Sequence, residues 1–308
     1  MNDKRKIIVI VAIVLVFIST VSGYFLGRQH YRNKALTEKN GKIVENTNAT
    51  EISKDEAQKT QDIEYTRESI DAITLVNDSK VKHNDKGIPV LMYHAIGYEK
   101  GNTARVPKEN FKKQMKHLKD NGYETLTLDG AYDFFVENKT IPKKSVVLTF
   151  DDGYVDNYVE ALPILKEFGF KATIFVITGA VDKSKNYMNI EQLKEMEANG
   201  MDIQSHTVHH KNLKELSYDK QLETLKASKG FLEKTLNKRI KYFAYPYGEY
   251  SKESLKAVKE AGYTMAFSTT GRWSDKADGI LTLDRVFISG SASLDVFIDR
   301  ISNSNYKF

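Results

Sequence analysis

Val146-Val147-Leu148-Thr149-Phe150-Asp151-Asp152-Gly153 is a short apolar run that ends on two adjacent carboxylates and a glycine. Near-continuous hydrophobicity over so few residues reads as a strand buried on both faces, the kind found in parallel sheets. Two like charges at the end of such a strand repel, and one carboxyl pKa rises unless a cation sits beside them. A divalent metal resolves the conflict: one carboxylate holds the ion while the other handles protons. Asp-Asp-Gly is equally an ordinary strand-to-helix turn with a helix cap, so this stretch alone leaves both readings open.

Outward from it, apolar β-branched stretches alternate with helical ones from Ile88 onward. The pattern predicts strands over Ile88–Tyr93, Thr125–Leu128, Ser145–Phe150, Ala172–Ile177, Asp202–Ser205, Tyr242–Tyr245, Met265–Ser268 and Leu283–Ile288. Phe111, Met115 and Leu118 share a helical face, and further helices are expected near Tyr158–Phe168, Ile190–Ala198, Tyr218–Leu236, Ser254–Ala261 and Leu294–Ile301. Gly122, Gly169, Gly200 and Gly262 stop helices just ahead of strands. Repeated strand–helix units argue a parallel α/β fold. Seven or eight of them suggest a barrel, closed or incomplete, with its chemistry at the carboxyl ends of the strands.

Three more strand ends carry unusual residues. After Asp202–Ser205 comes His206-Thr207-Val208-His209-His210, with three of the seven histidines of the chain. His206 and His210 lie four apart, so a helical turn would put both imidazoles on one side, a spacing that suits a divalent metal; in an extended loop His209 could replace His210. Phe243-Ala244-Tyr245-Pro246-Tyr247-Gly248 ends a strand in a rigid turn with aromatic walls, which suits a sugar face or is simply a turn. Val90-Leu91-Met92-Tyr93-His94 closes the first strand of the domain on a histidine.

The rest of the 308-residue chain bounds the answer. Its charge of +5 is modest and spread out, which gives no sign of nucleic-acid binding. With no cysteine, disulfides, thiolate metal sites and a cysteine nucleophile are excluded. Lys4, Arg5 and Lys6 precede an apolar run from Ile7 to Ile18, and the stretch stays uncharged to Gly27. As a helix it reaches roughly 30 Å, the thickness of a bilayer core. Residues 7–27 are therefore expected to be a transmembrane signal anchor, with 1–6 a cytoplasmic tail; a signal peptide cut near Ser19, Ser22 or Gly23 is the alternative, which would give a secreted protein. Residues 28–86 are polar and poor in aromatics and read as a flexible stalk, leaving 87–308 as the catalytic domain. Cations on both sides of the run give the positive-inside rule little purchase, and an extracytoplasmic domain on a single-pass cell-membrane protein is expected from sugar chemistry instead.

Thr149-Phe150-Asp151-Asp152-Gly153 together with His206-Thr207-Val208-His209-His210 resembles the first two motifs of the polysaccharide deacetylases, carbohydrate esterase family four, with its NodB-homology domain. The resemblance extends from about Ile88 to the end. It implies a distorted (β/α) barrel of about seven strands and a metal-dependent hydrolase that removes N-acetyl groups from a surface polysaccharide and releases acetate. By the same resemblance Asp151 is the general base, and Asp152, His206 and His210 bind a divalent metal, zinc first, with nickel, cobalt or iron also compatible with mixed nitrogen and oxygen ligands. The backbone N–H of Tyr247 would serve the oxyanion, with Pro246 and Tyr245 beside it. Two departures stand out. Ala244-Tyr245-Pro246 has alanine where the family's third motif has an arginine bracing the base, and Arg285 is expected to take that task. No Leu-x-His lies near the carboxyl terminus. Both departures resemble the branch that deacetylates poly-N-acetylglucosamine in biofilms, where the acid histidine comes from the first strand, as His94 does here. Two other classes compete: a glycan-binding protein that kept the fold but little or no catalysis, and a non-haem iron oxygenase, which would also use two histidines and a carboxylate.

Overall fold

The structure, a computed structural model, describes residues 80–307. The expected tail, anchor and most of the stalk lie outside the described residues, within which no helix is long and apolar enough to cross a membrane.

Eight strands follow the predicted segments: β1 Val90–Tyr93, β2 Glu124–Thr125, β3 Ser145–Phe150, β4 Thr173–Val176, β5 Asp202–Ser205, β6 Tyr242–Ala244, β7 Met265–Phe267 and β8 Val286–Phe287. Seven form one curled parallel sheet in the order β7-β6-β5-β4-β3-β1-β8. The eighth, β2, pairs with the amino-terminal end of β3 through Glu124↔Ser145 and Thr125↔Val146. A lone parallel bridge, Phe267↔Leu283, joins the two edges of the sheet.

The seven α-helices are α1 Lys108–Asp120, α2 Leu128–Val136, α3 Leu162–Phe168, α4 Ile190–Ala198, α5 Tyr218–Leu236, α6 Lys252–Glu260 and α7 Leu294–Ser302 among the described residues. The period of two along each strand separates the apolar side chains into two cores. Leu91, Tyr93, Leu148, Phe150, Ile174, Val176 and Phe243 face the helices and pack with Phe111, Leu165, Leu193 and Leu225. Val90, Val147, Phe175, Tyr242, Ala244, Met265 and Phe267 face inward and pack with Leu128, Phe134 and Phe135 of α2.

One prediction needs correction here. Thr125–Leu128 was expected to be a strand, but only Thr125 is in one and Leu128 begins α2. Thr127 caps that helix, its hydroxyl accepting from the Gly130 N–H at 3.1 Å. At the start of α2, Asp129 bonds Lys241 at 2.8 Å and the Tyr242 hydroxyl, so the helix covers the amino-terminal end of β6 and leaves the opposite, carboxyl end of the barrel open.

Candidate active site

Alternation on β3 decides where the first carboxylate goes. Val147, Thr149 and Asp151 share a face, and that face is the barrel interior. Asp151 is 2% exposed and Arg285, just ahead of β8, is fully buried. The Arg285 guanidinium forks onto the carboxylate, Nη1 to Oδ1 and Nη2 to Oδ2, both at 2.7 Å. Two further donors are placed: Nε donates to the Ser268 carbonyl at 3.0 Å and Nη1 to the Thr149 hydroxyl at 3.2 Å. The Phe175 ring lies 5.5 Å away under the guanidinium carbon. Burial alone would push the Asp151 carboxyl up, but Arg285, with His206 and His94 adding to it, holds the group well below the usual carboxylate range.

The next residue turns the other way. Asp152 takes a left-handed backbone conformation with φ 74°, and Gly153 follows at φ 81°; a side chain on Gly153 would press on Val176. The turn aims Asp152 at the end of β5, where its Oδ1 lies 3.6 Å from His206 Nε2 and 3.4 Å from His210 Nε2. The histidines reach this point by an irregular turn and not by the helical one expected: Thr207 has φ 66° and His210 φ 53°, and the Thr207 hydroxyl accepts from the His210 N–H at 3.0 Å. The two rings meet edge to face at 4.8 Å. His209 is not brought to the Asp152 cluster; it borders surface hollows with Leu216 and Thr224 and, on the other side, with His210 and Tyr247. Among the described residues seven non-glycine residues have positive φ, and four of them, Asp152, Thr207, His210 and Tyr247, sit here. Backbone strain of this kind persists only where the surroundings impose it, and it concentrates at functional sites.

Three observations fit a divalent cation to Asp152, His206 and His210. Their candidate ligand atoms lie within 4.8 Å of one another. Asp152 Oδ1 is buried with no hydrogen-bond partner, which is costly for a carboxylate unless something else completes it. His206 Nδ1 lies 2.7 Å from the Ala244 carbonyl, so it carries the proton and leaves the Nε2 lone pair facing Asp152. Burial, with repulsion from Asp151 adding, pushes Asp152 up to about 6. Burial draws His206 down to about 3 and lowers His210 as well, so both rings are neutral near pH 7, the form that ligates.

His94 follows β1 and lines the same cavity of about 310 Å³ with Asp151, Asp152, Tyr154, His206, His210 and Tyr247. Its Nδ1 is buried without a partner. Tyr247 stands at the rim, 63% exposed, its ring 4.6 Å from that of His210. Gly248 behind it has φ 70°, and a Cβ there would collide with Thr269. Pro246 is buried, and Tyr245 turns away into the outer core against Phe243 and Tyr250 at 5.1 and 5.2 Å; neither is brought to the cavity. Sequence reasoning missed Tyr154 and Arg105, both of which line it. The one available signal for Tyr154 was its place directly after Asp151-Asp152-Gly153.

Comparison with known proteins agrees with this geometry. The polysaccharide deacetylase profile matches residues 138–266. A putative polysaccharide deacetylase of Bacillus subtilis, YxkH, is 40% identical over 68% of this chain and 74% of its own length. A poly-β-1,6-N-acetyl-D-glucosamine N-deacetylase of Staphylococcus aureus is 32% identical over 61% of this chain and 69% of its own. Among solved structures, the Streptococcus pyogenes deacetylase PplD, determined with acetate, superposes with a TM-score of 0.67 at 35% identity, covering 70% of this chain and 98% of that one. The chain belongs to the polysaccharide deacetylase family.

Proposed function

We propose that this chain is a metal-dependent N-deacetylase of an N-acetylglucosamine-containing surface polysaccharide, poly-N-acetylglucosamine or peptidoglycan, and that it releases acetate. The observation that carries the reading is the pairing of Asp151 with Arg285 directly beside the Asp152–His206–His210 cluster, in a cavity that also holds His94. A divalent cation held by Asp152, His206 and His210, zinc by preference, would supply Lewis acidity that makes water more acidic and an acetyl carbonyl more electrophilic.

The protein supplies the rest. Asp151, kept ionised by Arg285, retains a lone pair on each oxygen and takes a proton from the attacking water. The new bond is from the water oxygen to the acetyl carbon. Charge on the former carbonyl oxygen meets the backbone N–H of Tyr247, fixed by its left-handed turn. His94 gives a proton to the sugar nitrogen as the carbon–nitrogen bond breaks, and acetate and a free amine leave. Asp151 then releases its proton and His94 regains one from solvent, which closes the cycle.

Arg285 occupies the bracing position that Ala244 leaves empty, which is why catalysis is favoured over a glycan-binding remnant. Residues 7–27 anchor the enzyme in the cell membrane, a reading that rests on the uncharged run, and the domain lies outside, a reading that rests on where such polymers are found. The test is acetate release by the full-length chain from poly-N-acetylglucosamine and from peptidoglycan fragments, with and without chelator. Chelator-sensitive acetate supports the proposal. No acetate from either polymer with metal stoichiometrically bound overturns it.

A further inference from the structure

The chain between Asp152 and α3 does more than connect. Ahead of α3, residues Asn157–Ala161 form a π-helical turn, a rare geometry that often marks functional sites. It turns Asn157 inward, fully buried. The Asn157 amide Nδ2 donates to the main-chain carbonyl of His94 at 2.7 Å. One residue earlier, Asp156 Oδ1 accepts the Ile96 N–H at 3.0 Å and its Oδ2 accepts from Arg105 Nη1 at 3.3 Å. The backbone on both sides of Ala95 is thus clamped by two consecutive side chains of one turn.

The clamp matters because of what His94 lacks. Its Nδ1 has no hydrogen-bond partner among the described residues, and its ring meets that of Phe287 edge-on at 6.2 Å. No side chain bonds the ring through Nδ1, so the peptide it hangs on has a large share in placing it. Asn157 Oδ1 is itself buried without a partner, a cost the protein carries to point the amide nitrogen at His94.

We propose that Asn157, seconded by Asp156, is a positioning residue for His94, and that the π turn registers the acid histidine to the base-bearing strand β3 as one rigid piece. The inference rests on His94 acting as the proton donor. Asn157→Leu keeps the volume and removes the donor. Misplacement of a catalytic group by a fraction of an ångström lowers turnover without touching substrate affinity, so kcat should fall about tenfold with KM within about twofold and metal content unchanged.

A double-mutant comparison in the full-length chain decides the matter. The expected result is that Asn157→Leu slows the wild type about tenfold but slows His94→Ala less than about twofold, because nothing is left to position. An equal loss in both backgrounds makes Asn157 merely structural and overturns the proposal while leaving His94 as the acid. A wild-type rate for His94→Ala removes His94 as the acid, and the positioning role falls with it. Asp156→Ala, at a partly exposed site, should show the same pattern with a smaller loss, and it replaces Asn157→Leu in the comparison should that variant not fold.

Discussion

Asp151 and Asp152 are neighbours in sequence and opposites in environment. Asp151 is complete: both oxygens are paired, its partner is fully buried, and the interior of the barrel closes around the two. Asp152 is incomplete: it is also buried, yet one oxygen has no partner and two neutral imidazoles face it. One half of the site is finished by the protein itself, and the other is, in the function proposed above, finished by an ion. The two carboxylates avoid competing for one cation because the alternation of a strand sends the first inward, and a left-handed turn sends the second sideways.

The largest expected effect comes from the unfinished half. Asp152→Ala and His206→Ala should each lose metal and activity together, with turnover down by about three orders of magnitude or more, as expected when ligation is broken. Metal analysis beside acetate release checks it, and retained stoichiometric metal would reject the ligand assignment. Asp151→Asn should behave differently, keeping metal and losing turnover.

Next is the finished half. Arg285→Met leaves a carboxylate buried and unpaired, a change that costs about 3–5 kcal/mol, or roughly 2–4 °C of melting temperature per kcal/mol in a domain of this size. The sign of its pH dependence is fixed. In the wild type Arg285 holds Asp151 below its unfolded pKa, so the pair stabilises the fold above about pH 3.9 and the gain is lost only as pH falls toward the depressed value. In Arg285→Met burial dominates and the carboxyl rises above its unfolded pKa, so the variant loses stability as pH increases. The gap in melting temperature between the two proteins should therefore be widest near pH 7.5 and shrink toward pH 4. A gap independent of pH would mean that lost packing, and not the stranded charge, is the cause.

The smallest effect separates the two halves by titration. Asp152 takes up a proton below about pH 6, whereas His206 stays neutral down to about 3. Metal affinity should weaken by about tenfold per pH unit below 6, the slope of one competing proton. Calorimetric titration of the metal between pH 5 and 7 measures it, and a slope of two protons would put a histidine on the same footing as Asp152.

Much of this fold was legible because its strands are buried on both faces. A stretch such as Val146–Phe150 has few alternatives to a central parallel strand, and seven of the eight segments were found with ends shifted by a few residues, while Thr125–Leu128 meets a strand only at Thr125. Helix α2 was missed because Leu126-Thr127-Leu128, which runs into its first residue, reads as strand and Gly130 reads as loop; only the Thr127 cap argued otherwise. The histidine cluster was visible as composition, but its geometry was not, since left-handed Thr207 and His210 are conformations a sequence does not announce. Arg285 could only be guessed, because 134 residues separate it from Asp151 and only the curl of the sheet joins them. Asn157 left a fainter trace. At helical spacing it shares a face with buried Ala161, Ile164 and Leu165, a polar residue where an apolar one is expected.

The seam of the barrel has a consequence for Asp151. Leu283 bridges β7 and Val286 pairs with β1, so Arg285 is carried across the last opening of the sheet by the segment that closes it. Every member of the metal cluster precedes that segment in the chain. Without that segment Asp151 would lose the guanidinium that holds its carboxyl below the usual range. The proposed ion site and the brace on the proposed base thus come from separate stretches of chain, and Asp151 is paired only where the closing segment is in place.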